Sequence, residues 1–193
     1  GVRDGGKSGI VTITNNQTIS TAGLQSDAIQ AVSVGGNGGH GGKSGRVIAD
    51  GKARSGNGGA GGGAGESFVT NSKNITTGGK GTAAVIATSQ GGASGNAGRA
   101  GGIGTAESGH GGQGGNSRTV TVENTGDITT TSDASAGIVA TSLGGNGGNG
   151  GWAIAGGNAK SGNGGAGGDA GESLVTNSKS ITTGGAGSAA VIA

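Results

Sequence analysis

The sequence has no cysteine, proline, methionine or tyrosine, and Phe68 and Trp152 are its only aromatic residues. Without cysteine, disulfides, zinc–thiolate sites and thiol catalysis are excluded together. So few large apolar side chains cannot build a conventional two-layer core, because too little apolar surface is available to offset chain entropy. The charged fraction is only 11%, so the high-charge signature of disorder is also missing. These absences favour a solenoid.

Further absences narrow the class of protein. Glycine accounts for 54 of 193 residues, but without proline or an unbroken Gly-X-Y register the chain is not a collagen. No apolar run approaches the roughly 18 residues of a membrane span, so we expect no span in this segment. The chain starts at Gly1 inside a glycine run, without a signal peptide, and stops at Ala193 inside a repeat. We therefore expect a slice of a longer polypeptide.

A fixed, ungapped block recurs four times, at intervals of 56, 53 and 53 residues, and every length change falls in the glycine-rich segments between blocks. The block places an Asn first, an Ile four residues later and an Ile or Val ten residues beyond that. It predicts a single array with approximate repeats 10–66, 67–116, 117–172 and 173–193, the last one partial. The three columns are Asn15, Asn71, Asn124 and Asn177; Ile19, Ile75, Ile128 and Ile181; and Ile29, Val85, Ile138 and Val191.

Each block indicates three short strands separated by Asn, Gly and Ser turns, because β-branched residues are enriched and Ile-x-Thr alternates with period two. Repetition of three strands at fixed spacing predicts the coils of an all-β parallel β-helix. The two aliphatic columns would be internal, each buried Ile or Val contributing roughly 1.5–3 kcal/mol. The Asn column would form a stacked ladder of turn side chains.

Paired glycine runs join the blocks, an outgoing run such as Gly35–Gly42 and a return run such as Ser55–Gly65. Asn37, His40 and Lys43 recur every third residue, which matches polyproline-II geometry with its three residues per turn. Rods stacked beside equivalent rods could exchange backbone hydrogen bonds and so offset the large entropic cost of ordering glycine. We therefore predict a layer of polyglycine-II-like rods; the alternative is flexible loops.

No enzyme, cofactor or metal signature is found. His40 and His110 lie in His-Gly-Gly contexts without a carboxylate or cysteine at ligand spacing, so we interpret them as exposed spacers. No catalytic set of side chains can be assembled, and chance GxGxxG matches lack a βαβ context. Outward hydroxyl columns such as Ser20, Thr76, Thr129 and Thr182 permit ice binding, although any solvated β-helix needs such a surface.

The basic residues look few and scattered along the runs and bends, as Lys7, Lys43, Arg46, Lys52, Arg54, Arg99 and Lys160. Nucleic-acid recognition would need a clustered patch and stacking aromatics, so no nucleic-acid partner is expected. Trp152, at the end of a glycine run, is a possible contact anchor.

The segments ENTGDITTT (123–131) and SAGIVATSLGGNGG (135–148) resemble the N-x-G-x-I-x-T…S-x-G-I-x-A-x-S-x-G-G-x-G-G repeat of bacterial autotransporter (type V secreted) adhesin passengers. The resemblance extends over nearly the whole chain through its four copies. It implies a right-handed β-helix exported from a Gram-negative bacterium to the cell surface or medium. The long glycine insertions depart from that pattern, and the rods they predict are similar to polyglycine-II bundles of phage tail-fibre adhesins and antifreeze proteins.

The sequence thus favours a structural extracellular protein, an adhesin stalk or biofilm-matrix fibre that self-associates into filaments and contacts surface glycans. The alternative is a β-solenoid that binds ice or polysaccharide on a flat face. An enzyme is the least favoured reading.

Overall fold

The structure is a computed structural model that describes residues 2–44, 48 and 51–193, and every regular element in these residues is a β-strand. The strands are β1 Val11–Asn15, β2 Ile19–Thr21, β3 Ile29–Val34, β4 Lys52–Arg54, β5 Ser67–Asn71, β6 Ile75–Thr77, β7 Ala83–Gln90, β8 Ala100–Gly102, β9 Thr105–Glu107, β10 Val120–Asn124, β11 Ile128–Thr130, β12 Ala136–Leu143, β13 Ala153–Ala155, β14 Ala159–Lys160, β15 Ser173–Asn177, β16 Ile181–Thr183 and β17 Ala189–Ile192.

The strands stack as a parallel β-solenoid of four coils. The first, second and third strands of successive coils form three four-stranded parallel sheets, with orders β1-β5-β10-β15, β2-β6-β11-β16 and β3-β7-β12-β17. Val11 pairs with Ser67, Ser67 with Val120, and Val120 with Ser173. The predicted all-β solenoid and its intervals of 56, 53 and 53 residues are thereby confirmed.

The core lies between the three sheets and consists of aliphatic columns. Ile75, Ile128, Val85 and Ile138 are fully buried, and Ile29 is nearly so. Ile19 and Ile181, in the two end coils, are partly buried against this cluster. Val191 pairs with Ile138 and so continues the column of Ile29, Val85 and Ile138; in the last of the four coils it is 43% exposed.

The four block asparagines form a ladder at the turn between the first and second sheets. Asn15 donates to the side-chain oxygen of Asn71 (2.7 Å), Asn71 to that of Asn124 (2.6 Å) and Asn124 to that of Asn177 (2.7 Å). Each Nδ2 also donates to a backbone carbonyl two residues on, as in Asn124 to Gly126 (2.6 Å). Each side chain therefore closes its own turn and joins its coil to the next.

Five short strands that the sequence did not predict form a second, smaller lobe beyond the glycine runs. We call it the distal lobe: β8 pairs with β13, and β9 lies between β4 and β14. Ala53, Ala100 and Ala106 are buried between these sheets, with Ala153 and Ala155 packed against them. Because this core consists of alanine alone, the lobe is thin.

The first coil is three residues longer than the next two, and these three residues fall between Ser44 and Lys52. The Ser44 N–H donates to the Arg99 carbonyl (3.0 Å), so the 56-residue offset persists to the end of the outgoing run. Lys52 pairs with Thr105, an offset of 53. The length change therefore lies between Ser44 and Lys52, where residues 45–47 and 49–50 are outside the described part of the chain, and the glycine runs themselves are ungapped.

Candidate functional site

The glycine runs form extended rods in two layers that join the solenoid to the distal lobe. The third sheet continues into three outgoing rods, and four return rods lead back into the first sheet. The outgoing rods are residues 35–44, 91–99 and 144–152; the return rods are residues 2–9, 55–65, 108–118 and 161–171.

The backbone N–H groups of the rods fall into three classes, and those of the first class donate hydrogen bonds across the two layers. A single series runs through all seven rods, each N–H donating to a carbonyl in the other layer at 2.8–2.9 Å: Gly168 to Gly145, Gly145 to Gly115, Gly115 to Gly92, Gly92 to Gly62, Gly62 to Gly36 and Gly36 to Gly6. A second series runs three residues further along the rods, from Gly165 to Arg3. This threefold period supports the polyglycine-II-like rods over the alternative of flexible loops.

Backbone N–H groups of the second class donate within one layer, to the equivalent rod of the next coil. Gly38 donates to the Ala93 carbonyl (2.9 Å), and Gly61 donates to that of Gln113 (2.8 Å). These bonds continue the ladders of the adjoining sheets, so the spacing between rods follows the strand spacing of about 4.8 Å.

The third class of amide faces outward and is bonded by a side chain of the preceding coil. Oδ1 of Asn37 accepts from the Ala93 N–H (2.9 Å), and Nδ1 of His40 accepts from that of Asn96 (3.0 Å). The same contact recurs in further pairs, acceptor first: Asn96 and Asn149, Asp4 and Ala60, Asn57 and His110, His110 and Asn163, and Asn116 and Asp169. His40 and His110 are thus exposed residues with a specific role, which is to bond the outward amides.

Two neighbouring glycines illustrate how the rods constrain the sequence. A Cβ on Gly62 would overlap the carbonyl oxygen of Gly6 in the adjacent rod of the same layer. A Cβ on Gly63 would meet only the Asn116 carbonyl oxygen at 3.5 Å, an ordinary contact, and Asp169 occupies the matching position of the fourth coil. Glycine is therefore required at Gly62 by close backbone approach, whereas the outward position is free to vary.

The two layers give the molecule two broad faces. We define the front face as the outer side of the third sheet and of the outgoing rods, and the back face as the outer side of the first sheet and of the return rods. On the front, the outward rod positions form a grid of nine residues: Asn37, His40, Lys43, Ala93, Asn96, Arg99, Asn146, Asn149 and Trp152.

Charge differs between the faces. The described outward residues of the front face include no carboxylate, and the third sheet presents aliphatic, Thr and Gln side chains, among them Val34 and Leu143, each 50% exposed. The back face carries several carboxylates, which are Asp4, Glu66, Glu123, Asp169 and Glu172.

The interpretation of the basic residues as scattered is wrong, because the fold gathers five of the seven named above at the distal end. Among the described residues, five basic side chains lie on or beside the distal lobe with one acidic side chain, Glu107; they are Lys43, Lys52, Arg54, Arg99 and Lys160. Arg46 lies outside the described residues. These residues are far apart in the sequence, and they lie close together only because the coils stack in register.

Glu107 and Trp152 each contact part of this cluster. Glu107 forms exposed ion pairs with Arg54 (3.2 Å) and Lys160 (3.7 Å), which are of the kind that contributes little stability. The Arg99 guanidinium lies 5.1 Å from the centroid of the Trp152 ring, and Trp152 remains 44% exposed. Trp152 therefore extends the front face at its distal edge.

A furrow of about 570 Å³ crosses the back face where return rods meet the first sheet. Its lining includes the short residues Ala60 and Gly63 of the second coil and the longer side chains Lys7, Gln113 and Asn116 of the coils on either side. It is a shallow depression left by short side chains. Within the described residues, no group of three His, Asp or Glu is arranged to hold a metal, and no helix is long and apolar enough to cross a membrane.

No protein-family model and no curated protein sequence matches the chain. Among solved structures, the chain is similar at 22% identity to the nine polyproline type II helical bundle antifreeze protein of the springtail Granisotoma rainieri, whose crystal waters are described as matching the ice lattice. The match covers 86% of this chain and 93% of that one, with a TM-score of 0.15. Agreement that low supports no conclusion about shared fold or function.

Proposed function

We propose that this chain is part of a stiff structural scaffold, the stalk of a cell-surface adhesin or a fibre of an extracellular matrix, exported as an autotransporter passenger. The observation that carries the proposal is the hydrogen-bonded series from Gly168 to Gly6, which crosses all seven rods. Because the backbone N–H groups of all three classes have partners in a neighbouring rod or coil, bending the two layers of rods would break many hydrogen bonds at once. Such a molecule transmits force and maintains distance.

Self-association belongs to the same proposal. The strands of the first and fourth coils present one edge each beyond the four-stranded sheets, and such edges pair with further strands. We expect end-to-end filaments, observable by electron microscopy and sedimentation velocity. A chain that remains monomeric at all concentrations would contradict assembly without contradicting stiffness.

Ice binding is less well supported than the scaffold role. The outward hydroxyl column of the second sheet, Ser20, Thr76, Thr129 and Thr182, is a single column wide, since each strand there has three residues with only the middle one outward. The outward rod positions carry a mixture of amide, imidazole, charged, aromatic and small side chains, which do not form a uniform surface. A thermal-hysteresis assay with clear activity would favour ice binding.

Single-molecule pulling tests the scaffold role. We expect discrete force peaks as coils detach, each releasing about 53 residues and therefore about 190 Å of extended chain. Featureless extension at low force would contradict a load-bearing scaffold.

A further inference from the structure

We propose that the distal half of the front face is a binding surface for an acidic polysaccharide. This inference goes beyond the scaffold role and does not depend on it. Its basis is the rod grid, where Lys43 and Arg99 stand beside each other in adjacent coils and no carboxylate is among the nine outward residues.

The bonding of outward amides determines which atoms the grid presents. Asn37 and Asn96 use Oδ1 to accept a backbone N–H, so their Nδ2 groups, which can only donate, are the atoms left for a ligand. His40 uses Nδ1 as an acceptor, which places the proton of the neutral ring on Nε2 as a further donor. The fold thereby holds these donors in fixed orientations beside two cations.

A surface of donors and cations is complementary to a ligand rich in acceptors and negative charge. The grid repeats about every 9 Å along a rod and about every 4.8 Å between coils, so it suits an extended polymer that makes many weak contacts. Carboxylate or sulfate groups would form ion pairs with Lys43 and Arg99, and hydroxyl oxygens would accept hydrogen bonds from the asparagine Nδ2 groups. A sugar ring could lie against the exposed part of Trp152.

Nucleic acid is the other polyanion to consider, and the surface fits it less well. Single-stranded nucleic acids bind proteins through several aromatic side chains that stack with successive bases, whereas this face has Trp152 alone, with the Arg99 guanidinium over its ring. The flat rod layer also presents no helix or ribbon that could enter a duplex groove.

The test measures binding of the full 193-residue chain to polygalacturonate, dextran sulfate, neutral dextran and duplex DNA by biolayer interferometry at several salt concentrations. We expect binding to both acidic polysaccharides and none to neutral dextran. The Lys43→Ala/Arg99→Ala double variant should bind about tenfold more weakly and show a shallower salt dependence, because two cationic contacts are lost. The control, Lys7→Ala/Arg118→Ala, removes the same charge from the return rods and should bind within about twofold of the parent chain.

A second pair of variants retains the side-chain oxygens that bond the outward backbone N–H groups. Asn96→Asp retains the Oδ1 that accepts the Asn149 N–H but replaces the donor with a carboxylate oxygen, so affinity should fall about fivefold or more. Asn57→Asp makes the same change on the back face, where it retains the bond to His110, and should have no effect. Three outcomes would overturn the proposal. They are equal losses of affinity in the front and back variants, failure to bind one or both acidic polysaccharides, and tighter binding of DNA than of polygalacturonate.

Discussion

Nδ1 of His40 accepts a hydrogen bond from the backbone N–H of Asn96, 3.0 Å away in the next coil, and Asn96 then accepts one from Asn149 through Oδ1 (2.8 Å). The outward amide of a rod thus depends on the side chain beside it. This relationship explains why Asn, Asp and His recur at the outward positions of otherwise glycine-rich rods.

Replacement of His40 tests this bond. His40→Ala should lower the free energy of unfolding by roughly 0.5–1.5 kcal/mol, because the Asn96 N–H loses its protein partner at an exposed position. His40→Asn should restore most of the loss, since Asn fills the same role at position 96. Urea denaturation measures both, and equal destabilisation by the two variants would show that the bond is unimportant.

Adjacent glycines should respond in opposite ways to the same substitution. Gly62→Ala forces a methyl group against the Gly6 carbonyl and should destabilise the chain by roughly 1–3 kcal/mol or more. Gly63→Ala makes only an ordinary contact with the Asn116 carbonyl oxygen and should be neutral or stabilising by about 0.4–1 kcal/mol through the unfolded state. Thermal melts of the two variants compare them directly. Similar melting temperatures would mean that adjacent return rods are not in close contact.

Much of this architecture could be predicted from the sequence, because stacked columns require the same residue type in every coil. The Asn and Ile columns and the rods with their threefold period follow from that requirement. The distal lobe was missed because its strands contain two or three residues, and its core of Ala53, Ala100 and Ala106 has the composition of the flanking runs. The grouping of Lys43 with Arg99 depends on coil register, which no local pattern reveals.

The asparagine ladder should be essential within the stack. Asn124→Ala removes two ladder bonds and the bond to the buried Gly126 carbonyl, so one N–H of the buried Asn71 amide also loses its acceptor. We expect a loss of roughly 2–5 kcal/mol by chemical denaturation. Thr125→Ala, at the exposed neighbouring position, is the control and should change stability by less than about 0.5 kcal/mol.

Two buried threonines offer a stabilising substitution. The hydroxyls of Thr77 and Thr130 have no hydrogen-bond partner among the described residues, whereas the Thr82 hydroxyl donates to Gly79 (2.8 Å). Thr130→Val should therefore raise the free energy of unfolding by about 1 kcal/mol or more, since a methyl group needs no partner. Thr82→Val should lower it. If Thr130→Val proves destabilising while Thr82→Val is neutral, the hydroxyl environments are wrongly assigned.

Amide hydrogen exchange of the rod glycines, measured by NMR, tests the layered slab most directly. The amides of Gly62, Gly92 and Gly115 donate across the layers at 2.8–2.9 Å, so they should exchange as slowly as core amides of the solenoid such as that of Ile128. The bonds are lost only when neighbouring rods separate. Exchange at the rate of an unstructured peptide, with core amides of the solenoid still protected, would show that the glycine segments are loops and would contradict the account.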